Sequence, residues 1–158
     1  MSSNIEEIAS IMGATRVGTT PAHVDWILTD SRSLCFPEET LFFALKTKRN
    51  DGHKYIYDLY TRGVRNFVVS DLPEKASEYK DANFLVLDRP LKGLQKLATH
   101  HREQFLVPVV GITGSNGKTI VKEWLYQLLS PERVITRSPR SYNSQIGVPL
   151  SIWLMNEH

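Results

Sequence analysis

The run Gly111-Ile-Thr-Gly-Ser-Asn-Gly-Lys-Thr119 constrains this chain more than any other feature. An apolar, strand-like stretch at residues 107–112 (VPVVGI) leads into it. After it, Ile120, Val121, Trp124, Leu125 and Leu128 recur at helical spacing. Strand, glycine loop and helix in that order form the layout of a phosphate-binding loop. Glycines at 114 and 117 let backbone N–H groups turn inward without a Cβ clash. Those amides, with the positive end of the following helix, cradle phosphate oxygens. Lys118 is placed to reach the β and γ phosphates, and the Thr119 hydroxyl to ligate Mg²⁺. The strict spacing puts a glycine five residues before Gly117, where this chain has Ile112. The run is therefore a variant, with glycines at 111, 114 and 117. The plainer alternative is a glycine-rich turn opening an ordinary helix, and the strand–GKT–helix context favours the phosphate loop.

Composition narrows the class further. The chain has 158 residues, 41% hydrophobic and 23% charged, which fits a folded soluble protein and excludes a disordered tail or a disulfide scaffold. Nineteen Lys and Arg against 17 Asp and Glu leave +2, too balanced a field to imply nucleic-acid or membrane binding. The single cysteine, Cys35, fits a reducing, cytoplasmic setting. The acidic start MSSNIEEIAS has no apolar core of a signal peptide. The apolar run at 105–112 is far shorter than the ~20 residues that cross a bilayer.

Elsewhere the pattern alternates strands and helices, which predicts an α/β fold. The first segment reads as a helix, with a Ser3/Glu6 capping box at its start, Ile5, Ile8, Ala9 and Met12 on one face and Gly13 placed to end it. Strands are expected at 23–28, 40–46, 66–70 and 83–88, and a helix at 53–62. Asp88-Arg89-Pro90 is the best domain boundary, giving domains at 1–88 and 89–158. The second has a helix at 91–104, the strand at 107–112, the phosphate loop and its helix, a further strand at 133–137 and a helix opening at 147. So few strands make a meagre parallel sheet, and the chain reads as a truncated piece of a longer protein.

Other residues carry two readings. Asp51-Gly52-His53 is either a ligand contact or a turn with a helix cap, the cap being favoured on local physics. Ser31 and Arg32 either bind an anion or form a turn with an exposed arginine. Lys46, Lys48 and Arg49 make a small basic loop, solvated or facing a diphosphate. Adjacent His100 and His101 lie on different helix faces and lack acidic or thiol partners at metal-ligand spacing. Trp26, Trp124 and Trp153 read as core residues.

Three motifs together resemble the ATP-dependent Mur ligases of peptidoglycan synthesis. The first is Thr113-Gly-Ser-Asn-Gly-Lys-Thr119, close to the family's TG(T/S)NGK(T/S) loop. The second is Asp30-Ser-Arg32, Leu41-Phe-Phe-Ala-Leu45 and Asp51-Gly-His53, similar to its DSR…LFVAL…DGH signature. The third is Tyr142-Asn-Ser-Gln-Ile-Gly-Val-Pro-Leu150, similar to the NN-x-IGVPL segment of the members that act on UDP-N-acetylmuramoyl-tripeptide and D-alanyl-D-alanine. Two departures are Ser144, where the second asparagine usually stands, and Phe43 for valine. The first-domain motifs also resemble forms fused to an alanine racemase.

The resemblance implies a small α/β domain that binds the UDP-sugar, followed by the truncated start of a P-loop ATPase domain. It implies an enzyme when full length: ATP phosphorylates the terminal carboxylate of the UDP-linked tripeptide. The amine of D-alanyl-D-alanine then attacks the acyl phosphate, releasing ADP and phosphate. It places ATP on Gly114, Ser115, Asn116, Gly117, Lys118, Thr119 and Asn143, with Lys118 catalytic and Thr119 on Mg²⁺. It places the UDP-sugar near Ser31, Arg32, Lys46, Asp51, Gly52 and His53. Pyridoxal phosphate is implied only if a racemase follows. The remaining central and C-terminal ligase domains lie outside this chain, so the fragment is expected to be inactive alone. The alternatives are another Mur ligase, a folylpolyglutamate-type ligase or a non-catalytic UDP-sugar- or nucleotide-binding module.

Overall fold

The computed structural model describes residues 3–48, 50–139 and 141–156. Arg49 of the expected basic loop, and Glu157 and His158 at the chain end, lie outside the described residues. The chain divides into two compact units, 1–97 and 98–158, with the divide falling inside one helix.

The first unit opens with β1 (Ser3–Asn4) and α1 (Ile5–Met12). Ser3 is held in β1 opposite Val24, so the helix starts one residue later than a Ser3 cap requires. Asn4 is the cap instead, its Oδ1 accepting the Glu6 amide at 2.9 Å. Gly13 closes the helix in the left-handed conformation, as the sequence predicts. Then come β2 (Thr15–Val17), β3 (His23–Val24) and β4 (Trp26–Leu28). The single strand expected at 23–28 is thus two strands in two sheets, β3 on β1 and β4 on β5. β5 (Thr40–Phe43), α2 (Ile56–Thr61), β6 (Asn66–Val69) and β7 (Asn83–Val86) complete the unit's core.

The main sheet has the order β2-β7-β6-β5-β4, with β4 to β7 mutually parallel and β2 antiparallel at the edge. Continuous apolar runs such as TLFF and NFVV suit strands covered on both faces, and every residue of β5 and β6 is buried. Register aligns Leu28, Phe42, Phe67 and Phe84 across four strands. Phe67 stacks on Phe84 with ring centroids 5.4 Å apart and meets Phe42 edge-on. Each such fully buried ring contributes about 1.5–3 kcal/mol. Ile56 and Leu59 of α2 join this cluster. The alternating residues Leu41, Phe43, Val68 and Leu85 point to the other face. They are buried, as are Ile5, Ile8 and Met12 of α1. All connections among the parallel strands leave their carboxyl ends on one edge of the sheet.

Helix α3 (Pro90–Glu103) starts at Pro90, buries Leu94 and Leu97 and carries the chain into the second unit. That unit holds α4 (Lys118–Leu129) and α5 (Gly147–Trp153). No strand forms at 107–112 or 133–137, contrary to expectation. Strands need ladder partners for their amides and carbonyls, and no described residue pairs with these segments. Val109 and Val110 are exposed, as is the α4 stripe of Ile120, Val121, Trp124 and Leu128. Trp26 and Trp124 are therefore not core residues, and Trp153 is half-buried against His101, 4.7 Å between rings.

Candidate functional site

In open parallel sheets ligands bind beyond the carboxyl ends of the strands. That edge gathers the predicted residues of the first unit. After β4, Asp30 caps a 3-10 turn at Ser31–Ser33 by accepting the Arg32 amide at 3.1 Å. The Arg32 guanidinium closes on the same carboxylate through two bonds of 2.9 and 2.7 Å. These bonds hold the Asp30 carboxyl below the usual carboxylate range. Ser31 is buried, and its carbonyl accepts Arg62 Nη1 at 2.9 Å.

After β5 the chain runs through Lys46, which bridges backbone-to-backbone with Asp51. Asp51 caps the next 3-10 turn by accepting the His53 amide at 2.9 Å. Burial pushes its carboxyl up, but the amide and ring of His53 outweigh that and hold it below the usual range. His53 Nε2 lies 3.1 Å from the Ser70 amide nitrogen, just after β6. An amide only donates, so Nε2 accepts and the ring proton sits on Nδ1, donating to Asp51 Oδ1 at 2.6 Å. His53 thereby ties the loop after β5 to the loop after β6. Gly52 is required for a steric reason. A Cβ there would lie 2.8 Å from the Leu45 nitrogen and 2.9 Å from Ala44 Cα.

Lys46, Asp51 and His53 line one cleft of about 430 Å³ together with Lys54, Asp71 and Glu74. Ser31 and Arg32 are not in that lining; they stand at the end of the neighbouring strand β4. Asp71 is the residue the sequence did not single out. Its Oδ2 accepts Lys46 Nζ at 2.5 Å and the Ser70 hydroxyl at 2.8 Å. These contacts hold the Asp71 carboxyl down and raise the Lys46 ammonium.

In the second unit, Gly114 and Gly117 take the positive φ values of 146° and 77° that favour glycine. Gly117 caps α4 with no side-chain bond to the helix start. Residues 114–117 are exposed. Lys118 Nζ folds back to donate to the Gly114 carbonyl and reaches the Ser115 carbonyl at 3.5 Å. Thr119 Oγ1 lies 3.1 Å from Ser141 Oγ, and Lys122 donates to the Ser138 carbonyl at 2.7 Å. These contacts lay Ser138 and Ser141 beside the start of α4, and the exposed Asn143 donates its amide to the Ser141 carbonyl at 2.9 Å. Ser144 caps the turn into α5 by accepting the Gly147 amide at 2.9 Å, which gives the departure from asparagine a local role. His101 is buried, its Nε2 2.9 Å from the Met155 carbonyl.

No protein-family model matches the chain. It is 38% identical over 126 residues to the UDP-N-acetylmuramoyl-tripeptide–D-alanyl-D-alanine ligase of Synechocystis sp., covering 80% of this chain and 27% of that protein. A MurF ligase crystal structure from Thermotoga maritima in complex with ADP superposes with a TM-score of 0.67 at 30% identity, over 84% of this chain and 29% of that one. The chain belongs to the Mur ligase family. A MurF crystal structure from Acinetobacter baumannii, 24% identical, shares the fold, with a TM-score of 0.85 over 99% of this chain and 34% of that one. The chain spans about a quarter to a third of the length of the curated Mur ligase relatives it matches.

For this Mur ligase chain the structure sorts the expected residues into two groups. Lys46, Asp51 and His53 converge on one cleft, with Gly52 buried between the last two, while Gly114 to Gly117 form an exposed loop that runs into Lys118 and Thr119 at the start of α4. Arg32 is turned onto its own neighbour Asp30. Asp71 could have been suspected from its place, since an acid directly after a buried parallel strand falls on the ligand-binding edge. No described helix is long and apolar enough to cross a membrane.

Proposed function

We propose that the chain is the part of a cytoplasmic, ATP-dependent amide ligase that holds UDP-N-acetylmuramoyl-tripeptide and presents a phosphate loop to ATP. The whole protein would add D-alanyl-D-alanine to the tripeptide in peptidoglycan synthesis. The muramoyl-peptide domain would be residues 1–88, and the start of the ATP-binding domain residues 89–158. The observation that carries this reading is the convergence of Lys46, Asp51 and His53 on one cleft at the carboxyl edge of the sheet. It occurs in a chain that also bears the Gly114–Thr119 loop.

The residues fit these ligands by their chemistry. Lys46 offers an ammonium to a diphosphate, and the Asp51–His53 turn gives the cleft a rigid wall. Ser31 and Arg32 would reach the same ligand from the end of β4, Arg32 by exchanging Asp30 for an anionic oxygen. In the second unit, Lys118 would leave the Gly114 carbonyl for the phosphates and neutralise charge on the transferred phosphoryl group. Thr119 is an exposed hydroxyl beside the Ser141 hydroxyl, a hard-oxygen pair suited to Mg²⁺. When bound, that ion supplies positive charge to the phosphate oxygens. Asn143 would border the nucleotide and the reacting carboxylate.

A thermal-shift titration of the 158-residue chain tests this. A ligand that binds only the folded state adds about 2.7 kcal/mol at a hundredfold excess over Kd. UDP-N-acetylmuramoyl-tripeptide is expected to raise the melting temperature while UDP-glucose leaves it unchanged. Mg-ATP is expected to give a separate rise. No rise with the muramoyl peptide overturns the assignment of the cleft. The chain alone is expected to release no phosphate when given all three substrates.

A further inference from the structure

The cleft is built with an internal anion already seated on its ligand-facing cation. Lys46 and Asp71 are 25 residues apart in sequence and come from different loops, after β5 and after β6. Both ends of the pair are positioned. The backbone bridge to Asp51 sets Lys46. His53 takes the Ser70 amide at 3.1 Å, and the Ser70 hydroxyl then binds Asp71 Oδ2. The side chains nevertheless remain 51% and 70% exposed. An ion pair this wet adds little to the fold and exchanges partners readily. The charges lining the cleft are Lys46 and Lys54 against Asp51, Asp71 and Glu74. With His53 neutral, the lining carries one more negative than positive charge, a poor field for an anion unless one carboxylate gives way.

We propose that Asp71 is a competing counter-ion for Lys46, and that a phosphate-bearing ligand takes Lys46 only by displacing it. This rests on the nucleotide-sugar reading of the cleft. The device sets specificity. A small anion has only the Lys46 contact to offer and gains almost nothing by exchanging one carboxylate for itself. A UDP-linked peptide is held at other points along its length and so can supply the displacement. Asp71 therefore discriminates against free phosphate and pyrophosphate, and no chemistry is asked of it.

The test is a double-mutant cycle on binding, read by calorimetry with UDP-N-acetylmuramoyl-tripeptide and, separately, inorganic pyrophosphate. Asp71→Asn keeps the shape and the Ser70 hydrogen bond and removes the charge. It is expected to tighten muramoyl-peptide binding about two- to fivefold, the scale of an exposed ion pair. It should tighten pyrophosphate binding by at least as much. In a Lys46→Met background the same substitution is expected to change affinity by less than about 1.5-fold, because no cation is left to release. Equal gains in both backgrounds would mean long-range repulsion only and overturn the proposal. A loss of affinity on Asp71→Asn would make Asp71 a ligand contact and also overturn it. If the wild-type chain binds no muramoyl peptide at millimolar concentration, the nucleotide-sugar reading falls and the proposal falls with it. A second readout tests the pair itself: Asp71→Asn should speed acylation of Lys46 by an amine-reactive reagent, since the carboxylate holds that ammonium protonated. An unchanged rate overturns the pairing in solution.

Discussion

Gly52→Ala separates steric from conformational demand between Asp51 and His53 of the cleft lining. Gly52 has no left-handed φ, so alanine is allowed there by its backbone angles. On unfolded-chain entropy alone the substitution should stabilise by about 0.4–1 kcal/mol. The surroundings reverse that sign. The new Cβ would sit 2.8 Å from the Leu45 nitrogen, 0.6 Å inside the 3.4 Å at which ordinary contact begins, and 2.9 Å from Ala44 Cα. Both neighbours are backbone atoms leaving β5, which cannot rotate away as a side chain would. Overpacking of this kind costs about 1–3 kcal/mol. The Gly52 amide also donates to the Leu45 carbonyl at 2.9 Å, and opening that gap loses about 1 kcal/mol more. The expected net is a destabilisation of about 1.5–3 kcal/mol in the first unit. That corresponds to a drop of at least about 6 °C for a unit of this size. Hydrogen exchange of the β5 and β6 amides isolates this unit from the second, and a thermal melt gives the temperature. Gly111→Ala is the control, because nothing lies within 4 Å of a Cβ there, and it should stay within about 0.5 kcal/mol of wild type. Wild-type protection of the β5 and β6 amides in Gly52→Ala would refute the packing argument.

His53→Ala removes the acceptor for the Ser70 amide and the donor to Asp51, and should cost about 1–3 kcal/mol, measured by urea unfolding of the first unit. Lys118→Met should leave the melting temperature within a degree or two, because its bonds are to exposed loop carbonyls, while weakening Mg-ATP binding at least about tenfold by calorimetry. Burial lowers the pKa of His101, with the Met155 carbonyl opposing it. The unfolded chain therefore takes up a proton near the ordinary value of 6.5 before the folded chain does. Stability of the second unit is full above that pH and falls as pH drops below it. His101→Phe should flatten that dependence between about pH 7 and 5, seen as α5 amide protection factors that no longer change with pH once the intrinsic exchange rate is divided out.

What could be read from the sequence tracks the range over which each feature is determined. Asp51 caps its turn through an amide two residues away, so residue type and spacing were enough, whereas at Asp30 the same pattern gave the turn but not its cap. The buried runs at β5, β6 and β7 are continuous apolar stretches bounded by turns, and they read correctly as strands. β2 was missed because Thr15–Val17 is a short antiparallel edge with a charged residue at its centre; only pairing with β7 makes it a strand. Residues 23–28 read as one strand because apolar content does not reveal that two sheets share them. The pairing of Lys46 with Asp71 was invisible for the same reason, being set by which loops the parallel topology brings to one edge. Residues 107–112 give the same lesson in reverse. Their composition asks for burial on both faces, yet among the described residues no neighbour offers them a ladder, and Val109 and Val110 stay exposed. A parallel strand is a relation between segments.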